Sequence, residues 1–200
     1  MRIALFLLMA NLTALADDLE WQQQVHKDGI SISLRKVDGS KYHEFRATVN
    51  IKTKAAPAVA LLQDNTACAL WVHRCVSSEA IEALNETERY FYQVTSLPFP
   101  AQSRDAVFRA SIEFQADQGI KIILASAPDR LPETKHVRIV ETRGFYHIEP
   151  TGSDSILLTW QFYVDPAGAL PPLLVNTMLK DLPFRSLSAF RDLVKTPPYK

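Results

Sequence analysis

Residues Pro98-Phe99-Pro100-Ala101-Gln102-Ser103-Arg104-Asp105 run directly into Ala106-Val107-Phe108-Arg109-Ala110-Ser111-Ile112-Glu113-Phe114. A turn punctuated by prolines delivers an Arg-Asp pair and then near-strict alternation. Phe108, Ala110, Ile112 and Phe114 fall on one face; Arg109, Ser111 and Glu113 fall on the other. A period of two with one packed and one wet face is the pattern of an antiparallel sheet. The pattern recurs along the chain and sets the fold class.

Ile30-Ser31-Ile32-Ser33-Leu34 alternates after a turn at Asp28-Gly29, and Phe45, Ala47, Val49 and Ile51 mark a second strand after Asp38-Gly39-Ser40. Cys75 to Leu84 and Glu88 to Thr95 predict a hairpin around Asn85-Glu86-Thr87. Arg104 to Gln115 is expected to pair with Gly119 to Ala127, and Val137 to Glu149 with Ile156 to Val164. Helices are expected over Asp17 to Val25 and after Pro57, which suits a first helical turn. Pro171-Pro172 opens a long closing helix with an apolar stripe of Leu174, Met178, Leu182, Ala189, Phe190 and Leu193, interrupted by Pro183. The economical arrangement is an α+β domain in which one strongly curved antiparallel sheet grips the terminal helix.

Two hundred residues suffice for one domain with a sizeable core. Lys+Arg and Asp+Glu balance at 22 each, which leaves no basic field of the kind nucleic acid requires. Met1-Arg2, the apolar run Ile3 to Leu12 and Ala14-Leu15-Ala16 before Asp17 read as a signal peptide, residues 1–16, cleaved after Ala16. The run is too short to span a bilayer. Without Arg2 the remainder, residues 17–200, counts 21 basic against 22 acidic residues, a net −1. The expected location is periplasmic or secreted. The two cysteines, Cys68 and Cys75, fall in the exported part, where a disulfide is permitted. One continuous helix would hold them about 10 Å apart, beyond bridging reach. A short helix running into a strand would fold back, and the expectation is a Cys68–Cys75 bridge. No metal-ligand spacing accompanies them.

Several segments together resemble the START (steroidogenic acute regulatory protein-related lipid transfer) domain family. They are Asp28-Gly29-Ile30 with Arg35 and Gly39, Asp64 with Trp71, Pro100 with Arg104-Asp105, Leu131-Pro132-Glu133, Leu158-Thr159-Trp160, and Gly168-Ala169-Leu170-Pro171. The resemblance runs from about Trp21 to Lys195. It implies a helix-grip fold enclosing an apolar tunnel between sheet and C-terminal helix, a hydrophobic small molecule or lipid as partner, no cofactor, and a monomer that makes transient contact with membranes. The expected cavity wall is Phe108, Ala110, Ile112, Leu158, Trp160, Phe162, Met178, Leu182, Ser186 and Phe190. Trp71, Arg104 and Asp105 are expected to be structural, the Arg-Asp pair as an ion pair or turn-capping network. Sterol-binding members carry a further cavity Arg on this strand; Ala110 stands there, so sterol specificity is not carried over.

An enzyme on the same fold, acting on an apolar substrate, is the alternative reading. The five histidines are dispersed, and no Gly-x-Ser-x-Gly elbow is present. His147 with Glu88 or Asp105 is the least poor acid–base set. A non-catalytic envelope interaction module is a third reading; it predicts a filled core and an apolar surface patch.

Overall fold

The computed structural model describes residues 20–200. The expected leader, residues 1–16, lies outside the described residues. Strand β1 (Gln22–Lys27) stands where the latter part of a helix was expected. The reason lies in Asp28-Gly29, both with positive φ (52° and 74°). Two consecutive residues of that kind close a tight hairpin whose twist matches its strands. Lys27 therefore pairs with Ile30 at the start of β2 (Ile30–Lys36), and the chain before the turn is drawn into the sheet. Trp21 lies under the guanidinium groups of Arg35 and Arg46, at 4.6 and 4.2 Å from the ring centre.

β3 (His43–Ile51) follows, then α1 (Ala55–Gln63), a 3-10 turn over Asn65–Ala67 and the one-turn helix α2 (Cys68–Trp71). The Asp64 carboxylate caps that turn by accepting from the Thr66 and Ala67 amides. β4 (Cys75–Ala83), β5 (Glu88–Thr95), β6 (Arg104–Phe114) and β7 (Ile120–Ser126) form a meander. The expected strand Val137 to Glu149 is broken. Its beginning is the two-residue β8 (Val137–Arg138), parallel to the start of β6, and the main strand β9 runs Glu141–Gly152. β10 (Ser155–Asp165) leads to α3 (Pro172–Leu193).

The sheet order is β1-β2-β3-β10-β9-β7-β6-β5-β4, with each neighbouring pair antiparallel and β8 added beside β6. Its concave face packs on α3, the α+β helix-grip arrangement expected. The buried stripe of α3 is Val175, Leu179, Pro183, Ser186, Leu187 and Phe190; Phe190 of the expected stripe is in it, while in the first half the buried residues stand one position round from those expected. Both columns repeat at i, i+4; Leu174, Met178 and Leu182 are half-buried along its flank. β6 departs from simple alternation at both ends. Asp105 and Val107, on its outer face, are fully buried because the 127–138 segment folds over them, whereas Phe114 is exposed at the far end.

Candidate functional site

Between the sheet and α3 the side chains do not meet. They leave an internal cavity of about 180 Å³, some ten times the room that one water needs. Small side chains on the inner face of β6, Ala106 and Ala110, open the space, while Phe45, Phe91, Phe108, Trp160 and Phe162 wall it. Phe91 stacks on Phe108 at 4.9 Å between ring centres, and Phe45 meets Trp160 edge-on at 5.0 Å. Val175, Met178, Leu179 and Leu182 of α3 close the other side. Gly144 on β9 is required by this geometry: a Cβ there would lie 2.3 Å from the Gln161 carbonyl oxygen and 2.4 Å from the Phe162 ring. Its absence lets Phe162 lie down against β9.

Polar groups gather at the two ends. One end carries Asp64, Asn65, Ser78, Arg89 and Gln93. The Arg89 guanidinium donates to the Gln63 carbonyl and feels the Asp64 charge; burial, the larger effect, lowers its pKa. The other end carries Arg104, Thr142 and Pro166. In the middle the Tyr146 hydroxyl is held neutral, its pKa pushed up by burial. Two buried polar atoms on residues of this wall, Trp160 Nε1 and Thr142 Oγ1, have no hydrogen-bond partner.

Of the ten expected wall residues, Phe108, Ala110, Trp160, Phe162, Met178 and Leu182 line the cavity. Ile112, Leu158, Ser186 and Phe190 do not, and each has a packing reason. Leu158 is fully buried at its pairing with Val49 of β3 and Ile148 of β9, where the sheet interior is filled. Phe190 is taken up by Trp71, edge-on at 5.0 Å. The Ser186 hydroxyl accepts from the His73 amide and ties α3 to the α2–β4 loop. Ile112 sits beyond the cavity, toward the far end of β6.

Arg104 and Asp105 do not pair with each other. As strand neighbours they point to opposite faces. Arg104 turns inward, and its guanidinium donates to the carbonyls of Pro166 (3.0 Å), Ala167 (3.2 Å) and Gln102. It thereby joins the β5–β6 and β10–α3 loops, the latter turned by left-handed Ala167 and Gly168. Asp105 turns outward and accepts from Arg138, Tyr92 and Thr134. Burial alone would raise its pKa; these hydrogen bonds outweigh it and hold the carboxyl below the ordinary aspartate value.

Trp71 packs among Phe190, Trp160 and Tyr146 and also reaches the cavity. Cys68 and Cys75 are bridged, their Cα atoms 6.0 Å apart, because the chain reverses at left-handed Arg74. His147, Glu88 and Asp105 are not brought together. His147 lies by Glu149 at 3.4 Å, Glu88 binds Arg109, and neither they nor Asp105 line the cavity. Thr142, Phe91 and Arg89 were not singled out in the sequence; aromatic residues at 90, 91 and 92 mask which face of β5 is inward, and a polar residue in a strand reads as solvent-facing.

A sequence profile described as START domain matches residues 8–195. The chain belongs to the START domain family. This START domain superimposes on the crystal structure of a STAR-related lipid transfer protein from Xanthomonas axonopodis with a TM-score of 0.82. The two are 32% identical, and the match covers 88% of this chain and 99% of that one. An uncharacterised protein of Pseudomonas aeruginosa is 29% identical over 180 residues, 90% of this chain and 88% of its own. Human STARD10 shares the fold at a TM-score of 0.79 and 21% identity, over 89% of this chain and 74% of that one.

Proposed function

We propose that this START domain holds one lipid, or a similar hydrophobic small molecule, in the cavity between sheet and α3, and carries it as a monomer without covalent chemistry. The observation that carries the reading is the cavity, a space lined by aromatic and aliphatic side chains inside the hydrophobic core. Burial of a ligand's apolar surface there is worth about 25 cal/mol per Å². The similarity to a protein named for lipid transfer supports it. Carriage takes place outside the cytoplasm: the Cys68–Cys75 bridge suits an oxidising compartment, as does the leader pattern of residues 1–16. Loading is by contact with a membrane at the end where Arg104 joins two loops. Phe99 in the first loop is 97% exposed, and Leu173, just beyond the second, is 80% exposed.

Transfer of a fluorescent phospholipid between donor and acceptor vesicles tests both parts. Wild-type protein accelerates transfer. Ala110→Trp, which fills the cavity, lowers the rate roughly tenfold or more while the protein remains folded by circular dichroism. Phe99→Asp with Leu173→Asp slows transfer but leaves binding of a soluble lipid analogue unchanged. Transfer by Ala110→Trp at the wild-type rate would refute the cavity reading.

A further inference from the structure

The two ends of the cavity differ in charge balance, and this narrows the ligand class if the cavity holds a lipid as proposed above. At the Arg89 end the guanidinium donates to the Gln63 carbonyl and the neighbouring Asp64 carboxylate acts on its charge, although the two form no ion pair within 4.0 Å. At the Arg104 end no carboxylate among the described residues forms an ion pair with the guanidinium, although the residue is only 5% exposed. Three carbonyl oxygens solvate it and supply no countercharge. A buried cation in that state is strongly destabilising unless an anion joins it.

Thr142 lies at the same end. It is 4% exposed, its hydroxyl has no partner, and it stands opposite Val164, two residues before the Pro166 carbonyl that Arg104 binds. A buried hydroxyl is strongly disfavoured unless an acceptor reaches it. A cation without a countercharge and an O–H donor without an acceptor share one requirement.

We propose that the cavity selects an amphiphile whose head carries net negative charge, a carboxylate or a phosphodiester with no cation of its own, seated against Arg104 and Thr142 with its apolar part along Phe108, Trp160 and Met178. The head neutralises Arg104 and accepts from Thr142 Oγ1. The aromatic middle of the cavity takes the chain.

Delipidated protein titrated with four probes tests this: oleate, oleyl alcohol, and vesicles of dioleoyl phosphatidylglycerol or of dioleoyl phosphatidylcholine. Oleate binding roughly tenfold tighter than oleyl alcohol assigns a free carboxylate as the head. Phosphatidylglycerol extracted at least roughly tenfold better than phosphatidylcholine, with oleate weak, assigns an anionic phosphodiester. Thr142→Val, which removes the hydroxyl and keeps the shape, weakens the preferred anion by roughly three- to tenfold and leaves oleyl alcohol unchanged. Arg104→Gln loosens two loops as well, so the inference rests on Thr142→Val and on the probe series in wild-type protein. Oleyl alcohol and phosphatidylcholine bound as tightly as their anionic counterparts would overturn the inference and leave the lipid-binding reading standing, as would an unchanged anion preference in Thr142→Val. Binding of none of the four would overturn both.

Discussion

Arg104 and Asp105 show how one dipeptide can serve two separate networks. Strand geometry sends the first side chain toward the cavity and the second under the 127–138 segment. Asp105, with 0% exposure, is an acceptor for Arg138, Tyr92 and Thr134 at once. Removing its charge leaves Arg138 facing a neutral amide in a buried place. Asp105→Asn is expected to cost about 3–5 kcal/mol of unfolding free energy at neutral pH, measured by urea denaturation. The pH profile gives the sign. Because the folded pKa lies below the ordinary aspartate value, the contribution is present in full above about pH 4 and is lost as pH falls through the folded pKa. The gap between wild type and Asp105→Asn should therefore close on acidification. A gap independent of pH down to the acid transition would show that the carboxylate's ionisation is not what stabilises this strand.

At the scale of elements, strand periodicity was the readable signal, and most of the sheet follows from it. β1 was not readable as periodicity, since its residues are largely exposed and a bulge interrupts its register between Gln23 and Val25. The information lay in the two-residue Asp28-Gly29 turn, which demands a strand on each side. α3 has two apolar columns of equal spacing, and the buried stripe passes from one in its first half to both in its second, a crossing that the spacing alone does not give. The cavity wall was half legible for the same reason. Leu158 and Trp160 share a face of β10 two residues apart, yet one is sealed in the core and the other borders the cavity. Sheet curvature sets that boundary, and no local pattern encodes it. The α2–β4 reversal belongs to this scale too. Its disulfide closes a loop across seven positions, beside the His73 amide that anchors Ser186 of α3. Cys68→Ser with Cys75→Ser is expected to lower stability by about 2–3 kcal/mol in urea titration. A loss below about 0.5 kcal/mol would mean that the reversal is held by its backbone hydrogen bonds instead.

Among the described residues, the helix–sheet core opens where the sheet and the first half of α3 part. Hydrophobic residues of β2 and of the ends of β3 and β10 near Val49 and Leu158 pack closely, whereas Phe45, Trp160 and Phe162 join β5, β6 and the first half of α3 around the cavity. A chain selected for stability alone would fill such a space, since a void forfeits dispersion contacts on every side. The small side chains of Ala106 and Ala110 and the unpartnered atoms of Trp160 and Thr142 make sense together if an occupant completes the core. Native mass spectrometry of the protein, purified without detergent and then extracted with solvent, tests this most directly. A one-to-one adduct of lipid mass that vanishes on extraction and returns on incubation with lipid is the expected result. A bare polypeptide mass that stays bare after incubation with mixed lipids would contradict it.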